Sequence, residues 1–149
     1  MFGSPQRGVN AYAKVGLETG VASASPHKLI TMLYDGAIVA ILNGMTQMKA
    51  GNIEEKGKAL SKAIQILDNG LRASLDREAG GEIARNLDAL YEYMSSRLLT
   101  ANLQNDPAIL QEVHGLLVDL RDTWQQIGDA PTGGASIGNQ KQAPAQARY

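Results

Sequence analysis

At 149 residues the chain is long enough for one domain with a sizeable core plus tails. Its hydrophobic content of 44% is that of a folded protein, while 5% aromatics favour a core of Leu, Ile, Ala and Met, as in helix bundles. A net charge of -1 gives no basic footprint for nucleic acid, and the lack of cysteine excludes disulfides and thiolate metal sites.

Residues 1–24 are rich in Gly, Ser and Ala, with sparse apolar positions at Val9, Tyr12, Val15, Leu17 and Val21. They read as a flexible segment. The three-residue spacing of Val9, Tyr12 and Val15 fits either one short apolar latch turn or chance hydrophobics on a frayed end. No stretch here combines positive charge with a long apolar run, and no apolar run in the chain reaches the roughly 18 residues that span a bilayer. A soluble cytoplasmic protein without membrane insertion is expected.

Four helical segments follow, over residues 25–127. The first takes Ser25 as N-cap and Pro26 at its first position, where a missing N–H costs nothing, and stops at Gly51. The second opens at Asn52 with Glu55 at capping-box spacing and carries the stripe Leu60, Ile64, Leu67, Leu71 and Leu75. "DREAGG", residues 76–81, breaks it. The third carries Ile83, Leu87, Leu90, Met94, Leu98 and Ala101; "NDP" then ends it, with Asp106 and Pro107 starting the fourth. Leu110, Val113, Leu117, Leu120, Trp124 and Ile127 give the fourth a three-four seam. Nothing reads as a strand. Short connections make successive helices antiparallel, so the fold class is all-α, an up-and-down four-helix bundle with a mobile N-terminal segment. The Gly/Pro/Gln/Ala-rich residues 128–149 read as a disordered tail. The expected core is Leu60, Ile64, Leu67, Leu71, Leu87, Leu90, Met94, Leu98, Val113, Leu117, Leu120 and Trp124.

The first helix is apolar over more than one face. Leu29, Leu33, Gly36, Ala40 and Gly44 form a small-residue stripe beside the bulkier Ile30, Tyr34, Ala37, Ile38, Ile41, Met45 and Met48. Together they span roughly 200°, against the ~100° of a one-sided surface helix. On the second helix, Ala59, Ala63, Ile66, Gly70 and Ser74 form a second face of mostly small residues. Three uses fit this surplus: tight internal packing, a groove for a helix from elsewhere, or self-association of the bundle.

The chemistry of an enzyme is missing from the sequence. Neither His27 nor His114 lies in a Glu-x-x-His motif, and no His-Glu-x-x-His, phosphate loop or Gly-x-Ser-x-Gly occurs. Both histidines are expected to be solvated, Gly80-Gly81 is a turn pair, and Asp35, Glu82 and Asp88 are single carboxylates. No catalytic residue, metal site or cofactor is expected.

Several stretches in order resemble one family. They are "SASPHKLITMLYDGAI" with Tyr34-Asp35-Gly36-Ala37, "SLDREAGGEIARNLDALYEYMSSRLLTANLQND" with Gly80-Gly81-Glu82-Ile83-Ala84, Asn86-Leu87, Tyr91 and Tyr93-Met94, then "LLVDLRDTWQQI", preceded by Ala11-Tyr12. From about Ala11 to Ile127 the chain is similar to the flagellar secretion chaperones of the FliS family. The resemblance implies a non-enzymatic, cytosolic antiparallel bundle that binds the disordered C-terminal segment of flagellin, prevents premature polymerisation and delivers the subunit to the type III flagellar export apparatus. It also implies an N-terminal segment able to occupy the client surface, with Tyr12 at a position linked to that latch. An export gate or an anti-sigma factor is a further candidate partner. The expected contact surface is Tyr12, Ile30, Tyr34, Ile38, Ile41, Ala63, Ile66, Gly70 and Ser74, with Tyr91 at its margin. Tyr93 faces the other way, as a structural residue or a second partner contact. Gly16 and Gly20 weaken any helix between latch and bundle, and the long tail has no counterpart role in the family.

Overall fold

The structure, a computed structural model, describes residues 24–128. Helix α1, Pro26–Ala50, begins as its cap chemistry requires: the Ser25 side chain accepts from the Lys28 backbone N–H at 3.1 Å, and Pro26 occupies the first turn. It ends at Gly51, whose left-handed φ of 78° lets the N–H groups of Gly51 and Asn52 return to the carbonyls of Met48 and Gln47. Helix α2, Ile53–Gln65, starts without the expected capping box. The Asn52 side chain caps no N–H and instead donates from Nδ2 to Gln47 Oε1 at 2.7 Å.

The α2 stripe was expected to run on as α-helix to Leu75, but from Ile66 to Arg72 the helix widens into π geometry. Side-chain periodicity reports which face is apolar, not whether one residue has been absorbed into a wider turn. The segment is tied off where the Ser74 hydroxyl donates to the Gly70 carbonyl at 2.6 Å.

Helix α3, Arg77–Gln104, starts earlier than its apolar stripe, because Asp76 accepts from the N–H groups of Glu78 and Ala79. The break expected at "DREAGG" survives as a kink at Gly81, with φ 55° and ψ -127°. Helix α4, Pro107–Ile127, follows Asp106, whose carboxylate accepts from the Ala108 N–H at 3.0 Å. No strand occurs among the described residues.

Short links between successive helices make each pair antiparallel. Around the bundle α1 packs on α2 and α4, and α3 packs on α4 and on α2 with its π segment. This is the expected up-and-down bundle. Ile41, Leu60, Leu67, Met94, Leu98, Leu110, Val113 and Leu117 fill its centre. Of the expected core, Ile64, Leu87, Leu90 and Trp124 are only partly buried and pack against that centre from its edge.

Gly44 and Gly36 lie where α1 packs on α2 and on its π continuation. A Cβ on Gly44 would lie 2.5 Å from Leu60 Cδ2, and one on Gly36 would lie 3.4 Å from Ile66 Cδ1. Contrary to the sequence expectation, α1 is long and apolar enough to cross a membrane by length and composition. A core helix passes that test too, and α1 has neighbours on two sides that use its wide apolar arc.

Candidate functional site

The expected contact residues are mostly buried. Tyr34, Ile38 and Ile41 on α1, Ala63 on α2, Ile66, Gly70 and Ser74 at the π segment and its end, and Tyr91 on α3 all lie inside. In the described residues they are buried in the bundle, where α1 packs on α2, on its π continuation and on α4. Of the ten positions, Ile30 alone among the described residues is half-buried; Tyr12 lies outside them. Tyr34 and Tyr91 do meet. Their hydroxyls are 2.6 Å apart across the core, with ring centroids 6.5 Å apart. Burial, together with the neighbouring Tyr34 hydroxyl, pushes the Tyr91 phenol well above the ordinary tyrosine range.

The apolar surface lies elsewhere. Leu103 is 75% exposed, Ile53 69%, Val39 63% and Leu99 53%, with Leu42, Ile83, Tyr93 and Ile127 less so. Ile53 opens α2, and Leu99 and Leu103 stand in the last two turns of α3, the end that meets the start of α2. There the Lys56 ammonium, one turn beyond Ile53, donates to the Asn102 carbonyl at 3.0 Å and to Asn105 Oδ1. Gly57, next to Lys56, leaves open space where a Cβ would stand. The sequence held a signal for this patch. Leu99 and Leu103 are four residues apart and fall off the Met94–Leu98–Ala101 stripe, so they could not face the same core.

Polar ties hold the seams around it. Arg72, carried by the π segment, donates to Asp88 on α3 (Nε–Oδ1 2.8 Å), and Arg77 reaches the same carboxylate at 2.6 Å. The Arg72 bond first, and then Arg77, hold the Asp88 carboxyl below the ordinary range. Asp68 accepts from the Ser95 hydroxyl at 2.9 Å. Between α3 and α4, Tyr93 and Arg97 both bond Glu112, so Tyr93 is a structural tie with a half-exposed ring. Between α1 and α4, Arg121 bonds Asp35 at 2.9 Å.

His27 is not simply solvated. It is half-buried and stacks on Trp124, with Nε2 2.7 Å from the Trp124 carbonyl. His114 is half-buried on α4. Among the described residues no group of three or more His, Asp or Glu could hold a metal ion. The arrangement offers apolar contact area on a rigid bundle.

Comparison with known proteins gives that surface a setting. The family model described as flagellar protein FliS matches residues 8–131. The flagellar secretion chaperone FliS of Salmonella typhimurium is 54% identical over 120 residues, covering 80% of this chain and 89% of the relative. The Escherichia coli protein of the same name is 47% identical, covering 80% and 88%, and that of Vibrio cholerae is 41% identical, covering 80% and 87%. Identity at this level over most of both chains, together with the family match, means that the chain belongs to the FliS family of flagellar secretion chaperones.

Proposed function

We propose that this protein is a chaperone of the bacterial cytosol that binds the disordered C-terminal segment of flagellin, keeps it from polymerising prematurely and delivers it to the flagellar type III export apparatus. Family membership over most of the chain carries this reading. The exposed side chains supply the physical means. A segment that folds on binding lays its apolar face against apolar side chains of its partner. Leu99 and Leu103, one turn apart on α3, and Val39 and Leu42, three residues apart on α1, are exposed side chains of that kind. We assign the client contacts to these residues and Ile53, with Ile30 retained at the edge. No catalytic step, metal or cofactor enters this function.

The test is calorimetric titration of the whole chain with a peptide of the last ~40–50 residues of the cognate flagellin, about one long helix pair. Circular dichroism is followed on the same mixture. Saturable binding with a negative heat-capacity change and gained helicity is expected. The double variant Leu99→Glu/Leu103→Glu should keep the helicity of the free protein and lose at least tenfold in affinity. No binding by the folded protein overturns the reading, and a stable dimer in that case would favour self-association. Full affinity in the folded double variant moves the site off α3.

A further inference from the structure

Helix α4 ends differently from α1 and α3. Those two close on left-handed residues, Gly51 and Asn105, from which backbone N–H groups return to the last turn. Gly128, after α4, has φ 72° but an extended ψ of -173°, outside the left-handed helical conformation of those two caps. The last four carbonyls of a helix need partners from outside it. For Trp124 the partner comes from another helix, as His27 Nε2 lies 2.7 Å from its carbonyl. A carbonyl only accepts, so Nε2 carries the proton and donates.

The tie is reciprocal. Trp124 Nε1 donates to the His27 carbonyl at 3.0 Å, and the two rings stack 4.8 Å apart at 9°. The Thr31 hydroxyl also donates to that carbonyl, at 3.2 Å. Three contacts thus join the first turn of α1 to the last turn of α4, between residues 97 positions apart. One turn earlier on α4, Arg121 is held separately by Asp35 on α1 and by Asp122.

We infer that His27 caps α4 from across the bundle, and that the pair is a latch whose release lets the last turn of α4 open while the rest stays folded. The restraint on that turn comes from the His27–Trp124 pair across the bundle, and the Arg121–Asp35 bond sets the inner limit of the opening. Helix ends held by few contacts open at low free energy as local units. Opening carries the Trp124 indole away from the edge of the core against which it packs.

Hydrogen exchange on the full chain, with the emission of its single tryptophan, tests this. His27→Ala should speed exchange of the Thr123–Ile127 amides by about tenfold, the scale set by losing the donated bonds. Amides of Val113–Leu120 and of Met94–Ala101 should keep their rates, and tryptophan emission should shift to the red and become more quenchable. Trp124→Phe keeps a ring to stack but no indole N–H, and should speed the same amides by a smaller factor. Faster exchange spread evenly over α3 and α4, or no change at all, overturns the latch. If His27→Ala does not fold, the Trp124→Phe protein decides by the same criterion.

Discussion

Lys56 is 3% exposed, with no carboxylate paired to it among the described residues. Its ammonium donates to the Asn102 carbonyl at 3.0 Å and to Asn105 Oδ1, and so stands at the C-terminal end of α3, where a cation suits the helix dipole. Lys56→Met keeps most of the apolar stem and removes both bonds. Two hydrogen bonds from a charged donor contribute about 3–6 kcal/mol together. Against that stands the cost of desolvating an ammonium ion, several kcal/mol. The bonds win narrowly, because the substitution also leaves a helix-end carbonyl short of a partner. We expect a net loss of about 1–3 kcal/mol. Lys56→Ala also removes about three buried methylenes at about 0.8 kcal/mol each, for a total of about 3–5 kcal/mol. In urea titrations followed by circular dichroism the midpoint should fall with an unchanged slope, and Tm should drop by roughly 4 °C per kcal/mol. Asn105→Gly, which suits the left-handed φ of 52°, should cost less, and the double variant less than the sum. A Lys56→Met protein as stable as the wild type would refute the reasoning, since desolvation would then outweigh the bonds.

The Tyr34–Tyr91 pair predicts a non-additive series: Tyr34→Phe leaves the buried Tyr91 hydroxyl short of its bond at about 1–3 kcal/mol, and adding Tyr91→Phe should recover much of that loss in thermal melts. Gly44→Ala should cost about 1–3 kcal/mol, because its Cβ meets a fully buried Leu60 that has nowhere to move. Gly57→Ala, with open space at its Cβ, should instead gain up to about 1 kcal/mol. For pH, the depressed folded pKa of Asp88 means that its contribution is complete above the unfolded carboxylate range and is lost as pH falls through the folded value. Asp88→Asn should therefore flatten the acid limb of the stability profile. The raised pKa of Tyr91 acts at the other end, since stability falls once pH rises past the ordinary tyrosine range and the unfolded phenol ionises first; Tyr91→Phe should reduce that alkaline slope.

Much of the fold is legible in the sequence because its signals are local. Ser25-Pro26, Gly51 and Asp106-Pro107 act within one turn of themselves, and the three-four spacing of Leu110, Val113, Leu117 and Leu120 marks an inner face directly. The contact surface is not legible in that way. A 200° apolar arc on α1 fits a free face and a double-sided neighbour equally well, and in the fold α1 packs on both α2 and α4. Lys56 reads as a solvated charge until α3 brings Asn102 and Asn105 to it, and His27 reads likewise until Trp124 arrives from the far end of the chain. The π segment leaves the stripe apolar on the same side, so its extra residue does not show in the pattern.

The left-handed backbone at Gly81 also bears on the order in which the bundle forms. It interrupts the i to i−4 ladder, so the turn Arg77–Gly80 cannot grow out of the long body of α3 that follows. A single turn on its own falls below the length at which helix nucleation is repaid. What holds it is the Asp76 cap, the Gly80 N–H bonded back to the Asp76 carbonyl at 2.8 Å, and the Arg77 bond to Asp88 on the far side of the kink. Asp88 comes into place only with α3, and Arg72 meets it only once the π segment has docked. We therefore expect this turn to form late in refolding. Substitutions at Arg77 should change the unfolding rate and leave the folding rate as it was.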